Sequence, residues 1–500
     1  MPLGTGQYGL ATQGNASDVP VSWAGRILFV TPEVAGLVKV GGLGEISAYL
    51  PRVLREAGVD TRILIPGYNS VLAHAENLAI VAELPGLNAV PSCRLAEHRT
   101  TDGLLTYVVI CPELYERDGS PYADAYGREF ADSDLRFARL GLAAAQIANG
   151  VSALGWEPAL VHANDWHAAL APAYMRWQES PKPSIMTVHN LAYQGVFDRV
   201  RASALGIPNA AFQPDGVEFH GKLSFLKAGL FYATHVTTVS PTYAKEILTP
   251  EMGCGLDGLL WQRAARGQLT GILNGIDESY DPRCDPHLEH HFDCSDLSGK
   301  RDNALHVRQV FGLTNSVGPL FALVSRLVHQ KGVDLVVDTA GSILAQGGQV
   351  VVTGEGEPHL EQAMTALANE YPGSVGVRIG FDETLARRMY AGSDFLLMPS
   401  RYEPCGLSQM YAQRFGSLPI AHKTGGLVDT IQDDITGFLF DRASAHAFGS
   451  AIQRAFKAFR SSNILQQMKT AAMRRPGGWY AAASDYLGVY QQAAVAPAQS

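Results

Sequence analysis

Two doubly wound parallel α/β domains, joined near Asn274-Gly275, are the fold class that this sequence predicts, on three observations. Short apolar runs such as RILFVT (26–31) suit strands buried on both faces of a parallel sheet. These runs alternate strictly with amphipathic helical stretches. The whole series then restarts after Asn274-Gly275, and 500 residues exceed the ~100–200 that one ordinary core accommodates.

In the first domain, strand 26–31 leads through a glycine-rich turn into helix 46–57, which Gly58 ends as a C-cap. Strand 61–66 completes a βαβ unit. Strands 159–162 and 184–189 flank a helix over 166–178, and strand 236–240 continues the sheet. In the second domain the expected strands are 320–325, 349–353, 376–380, 395–399 and 418–421, with helices 332–344, 359–370, 384–390 and 407–415 between them. Ligands of such Rossmann-like sheets sit at the carboxyl ends of the strands, here in a cleft between the domains. No internal repeat is present, which excludes a solenoid. Segment 277–303 lacks periodicity and reads as a linker or surface excursion. Its His287, His290 and His291, with Cys284 and Cys294, match no ordinary zinc spacing, so no metal site is expected there.

Composition narrows the partners. Hydrophobic residues make up 46% and charged residues 17%, which suits a packed enzyme rather than a disordered chain. The net charge is −9 and no Lys/Arg-dense run occurs, so nucleic acid is not an expected partner. A neutral polymer, or a small anion held by a few placed cations, fits better. The six cysteines form no CxxC pair, the pattern of reduced intracellular thiols. Residues 1–25 have no charged-then-apolar leader pattern and read as a flexible tail. No apolar run reaches the ~18 residues of a membrane span. A cytoplasmic protein with no membrane partner is expected; the sequence sets no oligomeric state.

Three strand ends carry the chemistry. The first is Lys39-Val-Gly-Gly-Leu-Gly-Glu45, where Gly41 and Gly42 let backbone amides approach a phosphate, a helix start adds positive potential, and Lys39 adds a charge. It is neither G-x-G-x-x-G nor a Walker loop, and alone it fits tight strand–helix packing as well. The second is Ser325-Arg-Leu-Val-His-Gln-Lys-Gly332, whose Arg326 and Lys331 can hold a diphosphate by a guanidinium fork and an ammonium. The third is Pro399-Ser-Arg-Tyr-Glu-Pro-Cys-Gly-Leu-Ser-Gln409. Glu403 there can accept from sugar hydroxyls, and amides at Gly406, Leu407 and Ser408 can bind hydroxyls or phosphate. Lys423-Thr-Gly-Gly-Leu427 makes a further strand–glycine–helix turn at the same edge. Cys405 reads either as a reactive thiol at a helix start or as a small packing residue. His189, after a strand, reads as a core histidine or, with Asp165 at the neighbouring strand end, as part of a site. His167 reads as structural.

Together KVGGLGE, HANDWHAAL (162–170), TVHNLAYQG (187–195), TVSPTYAKEI (238–247), LNGID (273–277), SRLVHQKG and PSRYEPCGLSQMY resemble the bacterial glycogen synthases and plant starch synthases. These are retaining transferases of glycosyltransferase family five, and the resemblance runs from Arg26 to Tyr486. It implies a GT-B fold: residues 26–272 on the glucan acceptor side, 273–477 on the nucleotide-sugar donor side, and 478–500 as a helix crossing back onto the first domain plus a tail. It implies ADP-glucose as donor, glycogen or another α-1,4-glucan as acceptor, no cofactor and no metal. Lys39, Asp165, His189, Arg326, Lys331 and Glu403 are then the catalytic set. Lys39 and Gly42 would lie against the donor diphosphate and glucose with Arg326 and Lys331 opposing them, and Gly41 and Glu45 would also touch the donor. His189 would lie near the glucosyl 6-hydroxyl, and Asp165 would orient donor or acceptor. Asn274, Glu403, Cys405, Gly406 and Leu407 would surround the sugar, Phe381 would stack on adenine, and Tyr411 stands where many GT-B enzymes carry a ribose-binding glutamate. Gly36, Glu45 and Asn164 depart from the commonest residues of the group: proline, aspartate and histidine. Two rivals remain open on sequence alone: a GT-B enzyme using UDP-glucose and a small acceptor, and a non-catalytic glucan-binding homologue.

Overall fold

All the strands expected from the sequence occur within two residues of their expected ends. In the computed structural model, residues 25–75, 77–180, 182–475 and 477–496 are described. The expected N-terminal tail, apart from residue 25, and residues 497–500 lie outside them.

The second sheet shows the organising logic most plainly. Its six parallel strands run in the order Val375–Ile379, Gln349–Gly354, Leu320–Val324, Phe395–Met398, Leu418–His422 and Phe438–Phe440. In chain order that is 3-2-1-4-5-6, so the direction of winding reverses between Leu320–Val324 and Phe395–Met398, and a crevice opens there. The Arg326 and Glu403 loops leave from those two strands. The first sheet is nine-stranded, and Arg26–Val30 lies at its centre between Leu160–Asn164 and Asp60–Pro66. Its switch point therefore releases the Lys39 loop and Asp165 side by side. Every residue of Leu160–Asn164, Ser184–Val188 and Leu320–Val324 is buried, as expected of strands covered by helices on both faces.

Not all of the first sheet is parallel. Cys93–Arg99 runs antiparallel to both Ala79–Leu84 and Leu105–Ile110 at its edge. The sequence reading did not place this edge: Ala79–Leu84 is mostly exposed or half-buried, without the apolar/polar alternation of a half-buried strand. The helix after the first strand is Gly42–Glu56, starting inside the glycine motif four residues before its expected start at 46. The expected helix 166–178 is broken into Asp165–Ala168 and Leu170–Trp177.

Segment 277–303 is not a surface excursion. Tyr280, Leu288 and Phe292 are buried, Asp285 is paired in the interior with Arg387 at 2.9 Å, and helix Ser298–Val310 begins within it. Its apolar residues are too irregularly spaced for a periodic signal, so tertiary packing alone orders it. Among the described residues no group of three His, Cys, Asp or Glu could hold a metal, and no helix is long and apolar enough to cross a membrane.

Two features tie the halves together. The C-terminal helix Trp479–Val495 buries Trp479, Tyr486, Leu487 and Tyr490 against Ile27, Phe29, Leu50, Leu54 and Ile185 of the first half. Gly275 passes so close beneath it that a Cβ there would lie 2.6 Å from the Trp479 amide nitrogen. The second tie is a reciprocal helix cap. Glu246, ending Pro241–Glu246, accepts the Gly425 amide at 2.9 Å and the Thr424 hydroxyl at the start of Gly425–Thr430. Asp429 in turn accepts the Thr242 amide and hydroxyl at 2.9 and 2.8 Å. Each helix start thus receives a carboxylate from the other half. The Lys423–Leu427 turn is thereby occupied by Glu246.

Candidate active site

The Lys39 loop is built around a buried carboxylate that the sequence did not flag. Glu33, 3% exposed, accepts the Val40 and Gly41 amides at 2.6 and 2.9 Å, and the Tyr122 hydroxyl donates to its other oxygen. The loop therefore presents fewer free amides than expected at the start of Gly42–Glu56. No local pattern marks Glu33, since its partner Tyr122 lies far along the chain. Lys39 pairs with Glu45, whose carboxylate is largely buried. Gly36 has φ +92°, which proline could not adopt, so that departure from the group comes with a different turn.

Across the cleft, Lys39 Nζ stands 5.7 Å from the centre of the exposed Phe381 ring. A Cβ on Gly42 would lie 3.6 Å from Leu407. The first-half loop thus meets the second half beside the two residues expected to contact adenine and sugar.

On the second half, Lys331 Nζ donates to Glu403 Oε2 at 2.5 Å, and Ser400 Oγ donates to the same oxygen at 3.0 Å. Glu403 is 5% exposed and Pro404 follows it, so its position is fixed. Arg326 differs: it is exposed and enters no ion pair among the described residues. Gly406 has φ +71°, and the Gly406 and Leu407 amides meet no backbone acceptor among the described residues. Cys405 is buried, and burial pushes its thiol up to about 12, which removes the reactive-thiol reading. Asn274 lies against Cys405 and is itself buried; its Oδ1 has no partner among the described residues.

Asp165 and His189 are held together by the chain. Asp165 Oδ1 accepts the His189 amide at 2.8 Å, and His189 Nε2 lies 3.0 Å from Asn164 Oδ1. Asp165 has φ +56°, a strained conformation for a residue other than glycine, of the kind that collects at functional sites. Burial pushes its carboxyl up to about 7, against the amides of His189 and Asn190 that favour the anion. Burial pushes the His189 imidazole down to about 3. His167 is buried and packed among the rings of Trp166, Tyr122 and Phe137, in keeping with a structural role. Tyr411 is also buried, stacked on Tyr280 at 3.7 Å, so its ring packs the wall instead of lying open to the cleft.

Comparison with known proteins decides what this arrangement belongs to. A model of the starch synthase catalytic domain matches residues 26–262, and one of group 1 glycosyl transferases matches 312–473. The glycogen synthase of Pseudomonas syringae pv. syringae (strain B728a) is 55% identical over 466 residues, covering 93% of this chain and 96% of the relative. The chain belongs to the glycogen synthase family. The glycogen synthase of Xanthomonas campestris pv. campestris (strain 8004) is 54% identical over 472 residues, 94% of this chain and 99% of that protein. The catalytic domain of starch synthase IV from Arabidopsis thaliana, solved with ADP and acarbose, superposes with a TM-score of 0.86 at 29% identity, covering 95% of this chain and all of that one. The fold is GT-B and the activity is that of a glycosyltransferase of glycogen synthesis, as the motifs implied.

Proposed function

We propose that the chain transfers glucose from ADP-glucose to the 4-hydroxyl at the non-reducing end of an α-1,4-glucan, with retention of anomeric configuration. The observation that carries this reading is the exposed, unpaired Arg326 on the strand-end loop that also bears Lys331, which pairs with Glu403, while Lys39 of the first half reaches Phe381 of the second. A sugar diphosphate needs cations of the kind that Lys39, Arg326 and Lys331 supply, and Glu403 with the Gly406 and Leu407 amides suits a hydroxyl-rich ring. The ADP and acarbose held by the starch synthase IV relative support adenine and an α-glucan as the ligand classes. Phe381, exposed at the cleft, is the platform for adenine.

Both carboxylates have other duties. Glu403 is tied to Lys331 and Ser400, and Asp165 holds the His189 backbone. Each is held by the partners it already has, which favours substitution on a single face over attack by a carboxylate. The bond from the anomeric carbon to the diphosphate breaks, and its electron pair stays on the leaving oxygen. The acceptor oxygen bonds on the same face and its proton passes to that diphosphate oxygen. Lys39, Arg326 and Lys331 stabilise the developing charge, each worth several kcal/mol in such sites. These charges make a divalent metal unnecessary. Glycogen is incubated with ADP-glucose or UDP-glucose in EDTA, and the new linkage is read by NMR. Faster transfer from ADP-glucose with α-1,4 product supports the reading. A UDP-glucose preference, a β product, or activity that EDTA abolishes and magnesium restores contradicts it.

A further inference from the structure

We propose that Asn164 acts as a positioning residue that locks His189 in its Nε2–H tautomer, which leaves the enclosed, unpartnered Nδ1 as a hydrogen-bond acceptor for a sugar hydroxyl. Asn164 ends strand Leu160–Asn164 and is 1% exposed. Its Nδ2 donates to the Val30 carbonyl at 3.1 Å and lies 3.5 Å from the His162 carbonyl. Carbonyl oxygens only accept, so a half-turn of the carboxamide would set oxygen against oxygen. The amide orientation is therefore fixed by its surroundings. Its Oδ1 must then face His189 Nε2, 3.0 Å away, and an acceptor there requires the ring hydrogen on Nε2.

A neutral imidazole has one ring hydrogen, and burial keeps this one neutral. With Nε2 carrying it, Nδ1 is left with a lone pair. That atom is enclosed by protein yet meets no partner among the described residues. The ring cannot swing to find one. Asp165 holds its backbone amide at 2.8 Å, and Asn164 holds its far nitrogen. One step further down the same two strands, His162 Nε2 bonds Thr187 Oγ1 at 2.6 Å while its Nδ1 meets the Tyr490 hydroxyl of the C-terminal helix at 2.8 Å. This lower rung keeps the strands at the spacing that the Asn164–His189 rung needs. An enclosed acceptor rejects anything that cannot donate, so the pocket requires a hydroxyl at this point on the transferred sugar.

That the partner is a sugar hydroxyl rests on the proposed function; the tautomer does not, so it is read first, on the ligand-free chain. The protein is labelled with 15N-histidine, and since it holds 15 histidines the His189 signals are assigned by their loss in His189→Gln. One pyrrole-type Nε2 and one pyridine-type Nδ1 are expected; a Nδ1–H tautomer, or an averaged mixture, overturns the proposal whatever the enzyme transfers. Asn164→Ala should let the two tautomers mix and lower kcat/KM by about tenfold or more, with the other histidine signals in place. An unchanged His189 spectrum in that variant also overturns it. Asn164→Asp keeps the shape but adds a carboxylate. With Asp165, Glu33 and His162 as the other titratable groups nearby, the added carboxylate should raise the His189 titration well above the low position to which burial pushes it. An unmoved titration contradicts the contact. Absence of glucosyl transfer with any donor, beside the expected spectrum, would count against the function and leave the tautomer standing.

Discussion

The two loops that meet across the cleft treat charge in opposite ways. On the first half, Lys39 is matched by Glu45 and the loop amides are matched by Glu33. On the second half, Lys331 is matched by Glu403, but Arg326 has no partner among the described residues and stands exposed. On the proposed function, an arriving diphosphate would displace or share an ion pair to use Lys39 or Lys331, and would meet Arg326 uncompensated. The comparison teaches that, of the two loops, the second half's carries the uncompensated positive charge, while the first half's is balanced by its own carboxylates.

The largest effect should therefore come from Arg326→Ala, which is expected to lower kcat by ~10²-fold or more in a glucose-transfer assay. A loss below tenfold would break the comparison. Lys331→Ala should follow at about 10²-fold, since it removes a cation and also leaves the buried Glu403 carboxylate unpaired. Glu45→Gln should cost less than about tenfold, because it frees Lys39 instead of removing it. A deeper loss would mean that Glu45 touches substrate directly.

The remaining predictions concern stability. Glu246→Ala and Asp429→Ala should each lower unfolding free energy by about 1 kcal/mol in denaturant titration, the usual worth of a helix cap. No loss in either would show that the reciprocal caps do not hold the halves together. Asp165 gives the smallest shift. Its folded carboxyl titrates at about 7, above the ~3.9 of an unfolded chain, so the folded state binds the extra proton between those values. Stability therefore falls as pH rises through that window. Asp165→Asn should raise Tm at pH 8 by on the order of 2 °C, a gain that shrinks toward pH 4. An equal gain at both pH values would sink this assignment.

The parts of this molecule written in periodic sequence were legible, and those written in long-range pairing were not. The buried parallel strands announce themselves as apolar runs, and the glycine, Arg-Lys and Glu-Pro-Cys-Gly turns mark where those strands end. Glu33 and Tyr122 carry no such signal, because their bond joins residues 89 positions apart. The order in segment 277–303 was missed for the same reason: Asp285 is placed by Arg387, 102 positions away. Asn164 was visible only as a departure from the family's common histidine. What it does to His189 follows from the two carbonyls that orient its amide, and no sequence pattern shows those.

The account turns on Arg326 gripping the diphosphate, and the most direct test is a calorimetric comparison of ADP and AMP binding to wild type and Arg326→Ala. The expected result is at least tenfold weaker ADP binding in the variant with AMP affinity little changed. Unchanged ADP affinity, or an equal loss for both nucleotides, would contradict it.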